Sequence, residues 1–244
     1  MRNVRLDLCY VGTRYRGWQR LTNCENTIQG KLETTLSKIL GEQIEVIGSG
    51  RTDAGTHAKG QVANFHCESR ISCEEILRQL RMYLPEDIGI YSCKNVSPRF
   101  HARLNAKEKT YIYRVWTSDA PCVFERKYVH IDQRALDISA MTVAANYLLG
   151  EHDFSAFSAN RNMKKSTVRY LRKIDIKALE NELVFTVTGN GFLHHMVRII
   201  VGTLLEVGRG ERNAASIPSL FGAARAEAGE LVPACGLCLV EVVY

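Results

Sequence analysis

The chain has 244 residues, 45% of them apolar, and a formal net charge of +6, which excludes a disordered polypeptide and leaves room for one large core or two of medium size. No apolar run approaches the roughly 18 residues that cross a bilayer, and Met1 to Asp7 alternate in charge where a secretory signal needs an apolar core. A cytosolic protein with an anionic partner, nucleic acid first, is therefore expected, its eight cysteines present as free thiols.

Leu6, Leu8 and Tyr10 alternate as a first strand, and Gly12 to Arg20 follow as a basic, aromatic loop. Ile28, Leu32, Leu36, Ile39 and Leu40 fall on one helical face, with Thr27 as N-cap and Gly41 as the stop. Ile44 to Ile47 lead as a strand into the loop Gly48 to Ala58, and Gln61 to Cys67 return as another. Ser72 and Glu75 form a capping box that opens a second helix carrying Ile76, Leu80 and Leu84 and ending at Pro85. A strand from Ile88 to Cys93 completes an α+β unit, and a first domain is expected over residues 1–104, a second over 105–244.

The second domain opens with a strand from Thr110 to Thr117, placing Tyr111, Tyr113 and Val115 on one face. Ile138, Met141, Ala145 and Leu148 define the buried stripe of a helix closed by Gly150. Ile174 and Ile176, the turn Glu180-Asn181, then Leu183, Phe185 and Val187 read as a hairpin. After Gly189 and Gly191 a long helix is expected from about Phe192 to Val207, and a final strand from Leu237 to Tyr244. The succession echoes that of the first domain without a repeat at the level of residues.

Three features carry chemistry. Gly48-Ser49-Gly50-Arg51-Thr52-Asp53-Ala54-Gly55 sets a carboxylate and a guanidinium among glycines in a loop leaving a strand, where reactive groups are held exposed; taken alone, the same residues also suit a surface turn capped by Asp53. Arg198 is the only charge in the apolar run Met196 to Leu205; a guanidinium cannot be deprotonated, so it either snorkels to the surface or pairs with an acid in a cleft. Asp53 suits that role, since a nucleophilic carboxylate must stay ionised. Tyr111 and Tyr113 lie between Lys107, Lys109 and Arg114, a pattern that suits a stacked base beside phosphates and equally the core-facing stripe of an ordinary strand.

Further cations gather at Arg14, Arg16 and Arg20, at Arg99, His101 and Arg103, and at Arg161, Lys164, Lys165, Arg169, Arg172 and Lys173. Each cluster alone suits a solvated face, but together they exceed what solubility needs, and Ser158 to Thr167 reads as a mobile basic loop for phosphate contacts. No metal is expected. Cys235-Gly236-Leu237-Cys238 lacks two further ligands at matching spacing, and adjacent helical residues such as His194 and His195 would point about 100° apart.

Gly50-Arg51-Thr52-Asp53-Ala54-Gly55 with His57-Ala58, Gly17-Trp18-Gln19, Phe100-His101-Ala102-Arg103, Lys109-Thr110-Tyr111-Ile112-Tyr113, Gly150-Glu151-His152-Asp153-Phe154 and Phe192-Leu193-His194-His195-Met196-Val197-Arg198 together resemble, in order and almost from end to end, the signatures of the tRNA pseudouridine synthase A family. The chain departs from the family pattern at Val11, where an acidic residue is usual, and at Thr56, where an apolar one is common.

The resemblance implies an α+β fold of two similar α/β lobes whose mainly antiparallel sheets meet at a central basic cleft, the pseudouridine synthase fold. It implies an isomerase that converts uridine to pseudouridine in the anticodon stem-loop of tRNA, acting as a homodimer without cofactor or metal. Asp53 matches the family's catalytic aspartate, Tyr111 the tyrosine stacked on the target base, and Arg198 the arginine paired with the aspartate. Arg51 matches the arginine used near the flipped nucleotide. A non-catalytic RNA-binding protein on the same scaffold, and the same chemistry on ribosomal RNA, are the alternatives.

Overall fold

A computed structural model describes residues 1–160 and 165–244. In chain order its elements are β1 (Arg2–Tyr10), α1 (Ile28–Leu40), β2 (Val46–Gly48), β3 (His57–Cys67), α2 (Cys73–Tyr83), β4 (Ile88–Val96) and β5 (Glu108–Trp116). There follow β6 (His130–Ile131), α3 (Ile138–Tyr147), β7 (Gly150–Asp153), β8 (Val168–Ala178), β9 (Glu182–Gly189), α4 (Met196–Gly208) and β10 (Leu237–Val243), with short 3-10 helices between. The architecture is mixed α/β with mostly antiparallel strand pairing, and no described helix is long and apolar enough to cross a membrane.

Contacts divide the chain into a first unit, Met1–Lys107 with Cys238–Tyr244, and a second, Glu108–Leu237. The sequence-based boundary at 104/105 assigned the last strand to the second domain, whereas its contacts group it with the first. Local periodicity identifies β10 as a strand and carries no information on which distant strand receives it.

In the first unit the strand order is β4-β1-β3-β10, with β2 on β3. β1 runs antiparallel to β3 and β4, and β10 runs parallel to β3. The alternation of β1 buries Val4, Leu6, Leu8 and Tyr10, and α1, in contact with α2 and β2, buries Ile28, Leu32 and Leu36. The Thr27 hydroxyl accepts from the Gly30 amide at 3.2 Å, and Gly41 ends α1 at φ 73°. Ser72 caps α2 by accepting from the Glu75 amide at 3.2 Å, but the Glu75 carboxylate bonds Arg78 and Gln79. β3 starts at His57, four residues before the expected Gln61, because Tyr10 of β1 and Cys238 of β10 pair with its first turn of residues.

In the second unit the order is β5-β9-β8-β7, antiparallel throughout, with β6 parallel on β5. Tyr111, Tyr113 and Val115 of β5 and Leu183, Phe185 and Val187 of β9 are buried. α4 is buried nearly all round, as its composition requires. It begins at Met196, four residues after the expected start, because His195 adopts the left-handed conformation (φ 65°, ψ 5°) that a continuing helix excludes.

Candidate active site

Asp53 lies on the loop between β2 and β3, and the first unit holds that loop from beneath with buried polar groups. The Tyr10 hydroxyl and Thr52 Oγ1 are bonded at 2.8 Å. Gln61 Nε2 donates to the Gly50 carbonyl at 3.1 Å, while its Oε1 accepts from Ser49 Oγ at 2.6 Å. Tyr10, Ser49, Thr52 and Gln61 are all buried, so each of these bonds is costly to break. Burial, opposed by the bonds to Thr52 and Gln61, pushes the Tyr10 phenol well above its ordinary pKa, so the hydroxyl keeps its proton.

The segment Tyr15–Trp18 lies along the loop's other side. The Trp18 amide donates to the Thr52 carbonyl at 3.0 Å and the Gly55 amide to the Tyr15 carbonyl at 3.3 Å. Gly17 makes the approach possible: at φ 93° a Cβ there would stand 2.7 Å from the Thr52 carbonyl oxygen. Within the loop Thr56 donates to the Asp53 carbonyl at 3.1 Å. The Asp53 side chain is part-exposed and that of Arg51 exposed. His57 is buried and its Nδ1 accepts from the Gly12 amide at 3.1 Å.

The residues of the second unit sit on β5 and α4. Tyr111, 7% exposed, pairs with Val187 on β9, and its ring meets Phe192 edge-on at 5.0 Å and 83°. Tyr113, two residues on, is a core residue whose hydroxyl donates to the Pro233 carbonyl at 2.8 Å; burial pushes its pKa far up. Of the two readings of the tyrosine stripe, the core-facing one therefore holds for Tyr113. Arg198 lies in the first turn of α4, part-exposed, with Nε donating to the Val232 carbonyl at 2.7 Å. The sequence left open a route to the surface or an acid partner; the side chain is part-exposed and a backbone carbonyl of the same unit engages one of its donors.

The turn before α4 presents Phe192. His195 is the only non-glycine residue at positive φ among those described, and its carbonyl accepts from Ile199 at 3.0 Å. His194 and His195 precede the helix and their rings lie 3.7 Å apart, so the helical 100° expected between them does not apply.

The remaining cations differ in state. Arg14 is paired with Asp87 at 2.8 Å. Arg16, Arg103 and Lys107 are exposed, as is Lys165, and Lys109 is part-exposed. Arg161 and Lys164 lie outside the described residues. Of the motif Gly150–Phe154 the first four residues form β7; His152 stacks on Phe221 at 3.9 Å, and the Phe154 amide donates to the Thr167 carbonyl at 3.2 Å.

Sequence reasoning missed the Tyr10, Gln61 and Thr52 supports and the Phe192 ring contact. Tyr10 and Gln61 carry one available signal: each is a polar group in a strand segment otherwise read as core.

A family model described as tRNA pseudouridine synthase matches residues 9–105 and 144–244. The chain is 44% identical over 246 residues to "tRNA pseudouridine synthase A 2" of Bacillus cereus (strain ZK / E33L), covering 100% of both chains. It is 46% identical to "tRNA pseudouridine synthase A" of Bacillus sp. (strain KSM-64), also over 100% of both. The same identity and coverage relate it to "tRNA pseudouridine synthase A 1" of Clostridium tetani (strain Massachusetts / E88).

Proposed function

The chain belongs to the tRNA pseudouridine synthase A family and isomerises uridine to pseudouridine in tRNA, and from that premise we propose that Asp53 is its nucleophile, with Tyr111 and Arg198 serving the same reaction. The reaction moves C1′ of the ribose from N1 to C5 of the uracil and a proton from C5 to N1. Nothing is oxidised or reduced, so a nucleophile, a proton acceptor and a positioned base suffice.

The Asp53 carboxylate attacks the target nucleoside, the N1–C1′ bond breaks, the uracil turns, the C5–C1′ bond forms, and the bond to the carboxylate breaks, which frees Asp53 and the pseudouridine. Tyr111 stacks on the base and assists loss of the C5 proton; Phe192, against its edge, supports that ring. Arg198 keeps the carboxylate ionised. Arg51 fills the space a base leaves when it is flipped from its stem, offsetting part of an unstacking cost of a few kcal/mol. Arg14, Arg16, Arg103, Lys107, Lys109, Arg161, Lys164 and Lys165 supply phosphate contacts. The targets lie in the anticodon stem-loop, and the enzyme works in the cytosol as a homodimer without cofactor or metal. One observation carries the reading: in a chain of this family, Asp53 is held by a set of buried bonds made to the backbone and side chains on either side of it.

The test is turnover of excess tRNA transcript by sub-stoichiometric protein, with pseudouridines mapped by carbodiimide-dependent reverse-transcription stops. Asp53→Asn is expected to bind tRNA as tightly as wild type and form no pseudouridine. A variant that turns over at the wild-type rate would rule Asp53 out as nucleophile. Stops confined to ribosomal transcripts would replace the substrate.

A further inference from the structure

The turn that follows β4, residues 97–105, is fixed by buried polar groups. Asn3 of β1 and Asn64 of β3 are 1% and 0% exposed and bond each other, Asn64 Nδ2 donating to Asn3 Oδ1 at 2.9 Å. Asn3 Nδ2 donates to the Ser97 and Phe100 carbonyls at 3.0 and 2.7 Å. Asn64 Oδ1 accepts from the Ala102 amide at 2.8 Å, and the Tyr244 hydroxyl donates to the Ala102 carbonyl at 2.7 Å. Nearer the tip, His101 Nδ1 accepts from both the Arg103 and Leu104 amides at 3.2 Å, and Asn105 Oδ1 accepts from the His101 amide at 2.7 Å.

Two asparagines buried in a sheet are costly unless their amides are satisfied, and here they are satisfied mainly by the backbone of a surface turn. What that turn presents is Leu104, 75% exposed, between Arg99, Arg103 and Lys107. Among the described residues neither Arg99 nor Arg103 takes part in an ion pair. An apolar side chain on an immobilised tip loses little freedom on docking, and the cations around it select an anionic partner.

We propose that residues 97–105 are an RNA-contacting tip in which Leu104 packs against the sugar and base of one tRNA nucleotide while Arg99 and Arg103 take the neighbouring phosphates. The wide, shallow minor groove of an A-form stem, lined by riboses, admits a side chain of this size. The inference rests on tRNA being the substrate; it adds a specificity residue that carries no charge.

The absence of charge makes it testable. Leu104→Ser is expected to raise KM for full-length tRNA about tenfold with kcat within about twofold of wild type, and to leave the slope of log Kd against log salt unchanged. Leu104→Met should restore KM. Arg103→Ala should flatten that slope by about one. Thermal melting should be unaltered in all three, since the substituted side chains are exposed. A Leu104→Ser enzyme with wild-type KM, or one whose salt slope falls as that of Arg103→Ala does, would overturn the proposal. Failure of the wild-type protein to modify tRNA would strike the functional reading instead.

Discussion

Gly17 decides the position of Asp53 more directly than any residue of the Asp53 loop itself. Its φ of 93° and the 2.7 Å that would separate a Cβ from the Thr52 carbonyl oxygen leave an alanine two conflicts, backbone strain of about 1–3 kcal/mol and a contact that must be relieved by moving the loop. Gly17→Ala is expected to lower stability by about 2–4 kcal/mol in urea titration and, on the proposal that Asp53 is the nucleophile, to lower kcat at least about tenfold, since a displacement of an ångström there is costly. KM should change less than kcat. Asp53 and Arg198 draw attention in the sequence because each is chemically out of place, a carboxylate among glycines and a cation in an apolar run. Tyr10, Thr52 and Gln61 were not, because their relation exists only after β1 and β3 pair.

Of the helices, α1 was read to the residue, whereas α2 ends at Tyr83, before Leu84, and Gly150, expected to close α3, opens β7 instead. Thr27 and Gly41 bound α1 where expected, since a cap and a left-handed glycine act within one turn. α4 was read four residues too long, because Phe192 and Leu193 continue its apolar pattern while the backbone at His195 does not continue its geometry. α4 also carries a close approach that periodicity does not show. A Cβ on Gly202 would stand 2.0 Å from the Glu230 carbonyl oxygen, where the segment before Val232, the acceptor of Arg198, crosses the helix. Gly202→Ala should therefore cost about 3 kcal/mol and weaken the hold of that segment on Arg198. Gly41→Ala, with nothing within 4 Å of its Cβ, should cost only about 1 kcal/mol from its left-handed backbone. Equilibrium unfolding of the two variants side by side separates collision from conformation.

The whole chain is two compact units, and the first is discontinuous. β10 pairs in parallel with β3, the Lys107 amide donates to the Val243 carbonyl at 2.8 Å, and the Tyr244 ring lies 5.0 Å from Phe100. Deleting residues 238–244 is expected to abolish protection from hydrogen exchange in β3 and in the turn 97–105 while the strands β5, β8 and β9 keep theirs. Equal loss in both units would contradict that division. The class of most elements was legible, but β6 and β7 were not, since neither shows an alternating apolar run, and neither was the return of the last strand: a parallel pairing between residues 57 and 238 has no local trace.

That return has a bearing on how the protein is made. Every residue of the second unit leaves the ribosome before the strand that completes the first. On a nascent polypeptide emerging at about 5–20 residues per second, the inserted unit can mature while the amino-terminal portion waits, about ten seconds, with one side of β3 unpaired at its start, His57 and Ala58. A stalled or prematurely terminated translation product would thus carry a finished carboxyl-terminal module behind an exposed strand, the form in which chaperones and proteases would meet it first.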